Sequence, residues 1–378
     1  MDLSLTEDQK LLQNSTREFV REVLPKDVLL ELDDVDVGYT DEIWRKVSNL
    51  GWMGMLIPEE YGGSGNSFTD AAVVFEELGR GPVPGPYFSS GVLSALMILE
   101  AGTSEQKQSL LPQIASGQQT IAAAITEPDY GWGPESIHMT ASKANGTYTL
   151  TGTKLFVQDA GAATQLICPV RTSENSQNAG EGISLALVSS TAPGVTRRSL
   201  PGFITGTSEV TFNSVEVPEA DILGATPGNG WAAVEKAIHG AIPILCAYQV
   251  GGCQAVFDLS VEYSRTRKQF GTPIGRFQRV QDHIIVIANN LDASRWTTFE
   301  ALWKLDTNRP AAGSIHMAKA VSSEGYLKAC DFAHEVHAGV GVMREYGLTL
   351  HTKMSRTLYH LLGDPKFHKQ RLAVALEL

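Results

Sequence analysis

Only four cysteines occur in 378 residues, Cys168, Cys246, Cys253 and Cys330, with no paired spacing among them. That excludes a disulfide framework and points to reduced, buried thiols in a cytoplasmic protein. No unbroken apolar run reaches the ~18 residues of a membrane span, and no charged-then-apolar leader opens the chain. The expectation is a protein with neither a spanning helix nor a signal peptide. Cationic excess is missing too: 30 Lys and Arg face 42 Asp and Glu, a net charge of −12. Non-specific nucleic-acid binding and attraction to anionic membranes are thereby disfavoured. A Gly-x-Ser-x-Gly elbow and a Walker A loop are both absent. What remains is 43% hydrophobic and 19% charged, the balance of a soluble globular chain too long for one core.

Three compositional zones follow, with boundaries expected at 1–118, 119–226 and 227–378. The first reads as helical. Thr6 and Gln9 fit a capping box ahead of Leu11, Leu12, Phe19, Val20, Val23 and Leu24 at helical spacing. Gly51 fits a helix stop, Thr69 a helix start, and Thr103 with Gln106 a further capping box. The second zone alternates: "GTYTLTGTKLFVQ", "GISLALVSS" and "SEVTFNSVEVPE" read as strands separated by Gly and Asn turns. Strands with no helical period between them predict an antiparallel sheet or barrel. The third zone predicts helices over 231–265, 273–307, 312–338, 346–362 and 365–376.

Several segments invite chemistry. His334 and His337 in "HEVH" stand three apart, whereas a zincin pair stands four apart on one helical face, so no metal site is expected. "GGSGNS" (62–67) is glycine-rich but does not join a strand to a helix, so it reads as a turn. "SRTRKQFGTPIGRFQRVQ" (264–281) concentrates Arg265, Arg267, Lys268, Arg276 and Arg279 in an otherwise acidic chain. With Gln269, Gln278 and Gln281 it has the chemistry to hold a pyrophosphate, and Phe270 could flank a ribose or adenine. "AITEPDYGWG" (124–133) and "TKLFVQDAG" (153–161) flank the first strands. As polar turns at one end of a sheet they could bracket a flat heterocycle, with Thr126 at its edge and Phe156 on its face.

Six motifs in this order, "IPEEYGGSG", "ITEPDYG", "GTKLFVQDAG", "VTFNSVEVPEADILG", "RKQFGTPIGRFQRVQ" and "HAGVGVMREYGLTLHTK", resemble the acyl-CoA dehydrogenase family over essentially the whole chain. The resemblance implies an N-terminal helical domain, a middle antiparallel β domain and a C-terminal four-helix bundle. It implies non-covalent FAD between the middle and C-terminal domains, and a dimer of dimers in which a neighbouring subunit clamps the adenosine end. It further implies an acyl-CoA substrate and an electron-transferring flavoprotein as acceptor. In such enzymes a carboxylate takes the α-proton of the thioester, and flavin N5 accepts hydride from Cβ. By position, Thr126 corresponds to the Thr at the flavin edge. Phe156 replaces the usual Trp, and Gln158 a Thr or Ser that contacts N5. Arg267, Phe270 and Gln278 correspond to the adenosine-diphosphate clamp, and Gly339 and Gly341 to the glycine turn at the pyrophosphate.

Besides Phe156 and Gln158, three departures matter. Trp132 stands where a Ser contacts the acyl-CoA. Glu335 stands where a neutral Gln faces the pyrophosphate, and a carboxylate there repels phosphate unless it is screened or turned away. Third, the usual base, the Glu of "YEGT", is missing from "LLGDPKFHKQ" (361–370), where Leu362 or Gly363 takes its place. Some members carry that Glu on the first C-terminal helix instead, but the matching position here is Ala241. The end loop is similar to that of bacterial α2β2 members acting on steroid or alicyclic acyl-CoAs. Three readings stay open: an unlike partner supplies the base, Asp364 serves as base in a homotetramer, or the scaffold has another role. Asp364 also fits an N-cap ahead of Pro365.

Overall fold

The structure, a computed structural model, describes residues 4–173, 178–201, 204 and 206–378. The first helices are α1 Glu7–Val23, α2 Lys26–Leu32, α3 Asp41–Ser48 and α4 Phe68–Arg80. A π-helical turn, Ser89–Ser94, leads into α5 Ala95–Ala101 and then α6 Ser104–Ala115. Strands follow: β1 Ile121–Ala123, β2 Thr140–Ala144, β3 Thr147–Val157, β4 Gln165–Arg171, β5 Ile183–Ser189, β6 Val195–Ser199, β7 Ser208–Pro218 and β8 Ile222–Leu223. The remainder is α7 Trp231–Thr266, a small hairpin β9 Lys268–Gln269 and β10 Thr272–Pro273, then α8 Gln278–Asp306, α9 Ala312–His337, α10 Leu348–His360 and α11 Pro365–Ala375. The order helices, strands, helices agrees with the reading from sequence.

The chain forms two compact units. One takes in the chain up to Asp34, then Ser67–Pro84 and Ile242–Leu378; the other takes in Val35–Asn66 and Gly85–Ala241. In the second unit the sheet runs β6-β7-β3-β2-β4-β5-β8 and is antiparallel, except that β1 pairs with β4 in parallel and β2 meets β4 at one parallel position. Leu150, Leu166, Val188, Phe212 and Val215 fill its core. Register shifts on β3 against β7 fall between Leu150 and Gly152 and between Lys154 and Val157. The second shift sets Phe156 at φ +53°, a bulge that re-aims the end of the strand.

The helical unit is held by caps and by α7–α10. Thr6 and Gln9 form the expected capping box, as do Thr103 and Gln106 in the other unit. Thr69 is not a cap. Ser67 caps α4 in a box with Asp70, and the Thr69 hydroxyl donates to Asp306 at 2.5 Å. A tertiary acceptor thus claims the Thr, and the serine two residues earlier starts the helix. The helix expected from 273 starts at 278, because Thr272 and Pro273 pair with Gln269 and Lys268 in the hairpin. Helix α7 is long and apolar enough, by composition, to cross a membrane, although no single apolar run reveals it; 83% of its most apolar 18-residue stretch is buried, which makes it a core helix.

Candidate active site

The strand unit gathers one set of candidates. Beyond β1 the chain runs through Thr126, whose carbonyl accepts from the Leu155 N–H at 2.8 Å, so Thr126 and Phe156 lie on neighbouring backbones. Both side chains are half-buried, as are Trp132 and Gln158. Tyr130, at φ +59° and exposed, sets its ring 5.8 Å from that of Phe156. The two rings widen the apolar ledge that sequence reasoning assigned to Phe156 alone.

Beneath this ledge lies an ion pair that sequence reasoning missed. Lys154 is fully buried and donates to Glu127 Oε1 at 2.6 Å and to the Pro169 carbonyl at 2.7 Å. Glu127 also accepts from the His138 N–H at 2.9 Å and from the Met139 N–H. Burial lowers the Lys154 pKa, and the Glu127 carboxylate beside it opposes that shift. Each partner lies within two residues of an expected flavin contact: Glu127 follows Thr126, and Lys154 comes two residues before Phe156. The signal available in sequence was only that both fell inside flanking motifs.

The helical unit gathers a second set. Hairpin β9–β10 turns through Phe270 at φ +52° and Gly271 at φ +78°, a two-residue turn whose handedness suits the strand twist. Phe270 is 93% exposed and touches Phe277 edge-on, with centroids 6.1 Å apart. Arg267 and Gln278 are also exposed at this hairpin. Where α9 ends, the His337 ring stacks on Tyr263 at 4.6 Å, and the Tyr263 carbonyl accepts from the Arg267 N–H at 2.9 Å. The glycine turn after α9 is thereby tied to the segment bearing Arg267. His334 and His337 are engaged in the fold itself: His334 Nε2 bonds the Thr352 hydroxyl at 2.8 Å, and His337 Nδ1–H donates to the Ala333 carbonyl at 2.7 Å.

These residues fit the adenosine diphosphate of FAD. A Cβ added to Gly339 would meet nothing within 4 Å, so the turn is open for a ligand to approach its backbone. Ala338 precedes it at φ +50°, ψ −134°, a conformation that suits glycine, so the turn keeps a glycine's backbone without its glycine. Glu335 is exposed on α9, which lets its carboxylate turn to solvent. Ala338→Gly is expected to raise folding stability by about 1 kcal/mol, read by chemical denaturation. An unchanged or lower stability would show that the turn carries no strain.

The end loop forms the expected turn, with Asp364 as the N-cap of α11. Leu362 sits at φ +58° and Gly363 at φ +108°. His368 Nε2 bonds the Leu362 carbonyl at 2.9 Å, and a Cβ on Gly363 would lie 2.6 Å from that same nitrogen. A side chain at Gly363 would press on the His368 ring at a φ that favours glycine, whereas Leu362 already carries one at positive φ. His316 Nδ1 lies 3.0 Å from His368 Nδ1; with His368 donating to Leu362 through Nε2, His316 is the donor between the two rings. Lys319, fully buried, donates to Ser323 Oγ at 2.7 Å and to the Leu358 carbonyl at 3.1 Å, and so closes the end of α10. Burial pulls its pKa down to about 8, against Cys246 and Asp364. Asp364 caps α11, its Oδ1 accepting from the Phe367 N–H at 2.8 Å. Ala241, the alternative position, is buried in an apolar stretch of α7 beside Ile242.

An aromatic ledge at a sheet end and an open glycine-type turn, on a helix–sheet–helix chain, agree with the flavin-dependent dehydrogenase family that the motifs resemble. Comparison with known proteins specifies the class further. The family profiles "Acyl-CoA dehydrogenase, N-terminal domain", "middle domain" and "C-terminal domain" match residues 6–118, 122–215 and 228–376. The chain is 31% identical to a probable acyl-CoA dehydrogenase, YngJ, of Bacillus subtilis, over 100% of both sequences. Among solved structures, butyryl-CoA dehydrogenase from Megasphaera elsdenii superposes with a TM-score of 0.90 at 25% identity, over 100% of both chains. A structure described as PigA with FAD and proline gives 0.91 at 27% identity, again over 100% of both. The chain belongs to the acyl-CoA dehydrogenase family, oxidoreductases acting on CH–CH bonds with FAD as cofactor.

Proposed function

We propose that this chain is one of two unlike subunits of an acyl-CoA dehydrogenase, and that its partner supplies the base. One observation carries the reading: the end loop has Leu362 and Gly363 in place of the family's Glu, and the carboxylate that follows them, Asp364, is engaged as a helix cap. Asp364, the nearest carboxylate, is engaged at the N-terminus of α11, and its removal from that role would leave the Phe367 N–H without its cap. The assembly is a dimer of dimers that passes electrons to an electron-transferring flavoprotein.

Within this reading Thr126, Phe156 and Gln158 hold the flavin ring, and Arg267, Phe270, Gln278 and the 338–341 turn hold its adenosine diphosphate. Trp132 borders the acyl-CoA. FAD, when bound, supplies the hydride acceptor for Cβ. The weakly acidic α-proton needs a desolvated carboxylate within transfer reach and a polarised thioester carbonyl. This chain provides the alignment and the apolar wall at Leu362.

The test is to express the chain alone and with candidate partner subunits, then add acyl-CoAs and follow bleaching of the flavin band. The chain alone is expected to give none and the pair to bleach. Asp364→Asn, which keeps an N-capping side chain, is expected to leave the pair's rate unchanged. Bleaching by the isolated chain that vanishes in Asp364→Asn would overturn the reading in favour of Asp364 as base.

A further inference from the structure

Asp159, the residue after Gln158, is a buried carboxyl that nothing above employs. It sits at φ +56°, its carbonyl accepts from the N–H groups of Ala162 and Ala163 at 3.0 Å each, and it is 7% exposed. Its side chain reaches the π-helical turn, where the Ser89 hydroxyl donates to Oδ2 at 2.5 Å. The next residue of that turn, Ser90, accepts from the Ile121 N–H at 3.0 Å and so holds β1, the strand that leads to Thr126. Two adjacent serines on one widened turn thus tie down both backbones expected to meet the flavin. A π-turn is an unusual element, found mostly as single turns at functional sites.

We propose that Asp159 is a positioning residue for the flavin: through Ser89 it locks the Phe156–Gln158 strand end to the same π-turn that holds the Thr126 strand. The proposal rests on the flavin reading above and deepens it.

The lock is sensitive to charge. Burial pushes the Asp159 carboxyl up to about 6, and the Ser89 hydrogen bond opposes that shift. The hydroxyls of Tyr87 and Tyr39 face it, each with its own ionisation suppressed by burial and by the Asp159 charge. Among the described residues the Tyr87 hydroxyl has no hydrogen-bond partner. On the sheet side Arg197 lies close to Gly161, two residues along, and pairs with Asp36 at 2.6 Å. The folded-state pKa lies above the unfolded one, so the protonated form favours folding. That contribution is complete below the ordinary carboxylate range and is lost as pH rises through about 6.

The test uses the full chain loaded with FAD, in its complex if the partner is required, and records flavin stoichiometry and the visible flavin spectrum from pH 5 to pH 8. A spectral change with a midpoint near pH 6 is expected; it should disappear in Asp159→Asn and move to higher pH in Ser89→Ala. Thermal unfolding without added FAD is the second arm: Asp159→Asn should raise the melting temperature at pH 8 and not at pH 5. A spectrum indifferent to pH and to both substitutions, at full flavin stoichiometry, overturns the proposal and leaves the flavin reading standing. Absence of bound flavin under every condition overturns both, while the unfolding arm still reports whether Asp159 is strained by burial.

Discussion

Leu362→Glu, made in the isolated FAD-loaded chain, is expected to create acyl-CoA-dependent bleaching where the native chain shows none. A positioned general base contributes roughly 10²–10⁴-fold to a proton transfer, so the gain should stand well above background in a stopped-flow trace. The loop is prepared for it. Position 362 already holds a branched side chain at φ +58°, so a glutamate there adds no backbone strain. The carbonyl of the same residue is fixed by His368, and the end of α10 is closed by Lys319. Gly363→Glu should fail, because its Cβ would fall 2.6 Å from His368 Nε2 at a φ of +108° that only glycine adopts freely. The expected result of that second substitution is a less stable protein with no bleaching. If Leu362→Glu stays inert while folded, flavin-loaded and able to bind acyl-CoA, the placement of the acyl group beside this loop is wrong.

Glu127→Gln is expected to be the most destabilising of the single substitutions considered, by about 3–5 kcal/mol, because it strands Lys154 as a buried cation without its anion. Against a net stability of about 5–15 kcal/mol for a folded protein, that is a large share. Flavin retention should fall with it, since Glu127 receives the backbone of His138 and Met139 and anchors the chain next to Thr126. Two further measurements distinguish charge from shape. The penalty should shrink as pH rises, because burial has already lowered the Lys154 pKa and a neutral amine no longer needs the carboxylate. The double substitution Glu127→Gln with Lys154→Met should be more stable than Glu127→Gln alone. Equal stability of the single and double variants, at all pH values, would show that the pair does not act as a unit.

Local features were legible from sequence. The boxes at Thr6/Gln9 and Thr103/Gln106 need only residues within one helical turn, and both formed. Three strands of the middle zone, β3, β5 and β7, the bounds of α9 and the turn before α11 followed from alternation, periodicity and Gly-Asp-Pro chemistry; β1, β2, β4, β6 and β8 were not read from the sequence. Where such readings slipped, another partner had intervened, distant in one case and local in the other. Asp306 claimed Thr69, and pairing with Lys268 and Gln269 drew Thr272 and Pro273 out of the helix expected there.

By itself, then, the sequence determined the order of elements, the family and the missing glutamate, all of which are written in neighbouring residues and motif spacing. Tertiary structure decided which carboxylates are engaged and where. It placed Asp364 on the end of α11, paired Glu127 with Lys154 across 27 positions and joined Asp159 to Ser89 across 70. It also set Gly363 against the imidazole of His368. The reason is physical: caps and periodicity act within one turn of chain, whereas burial and charge pairing depend on residues that only the folded backbone brings together.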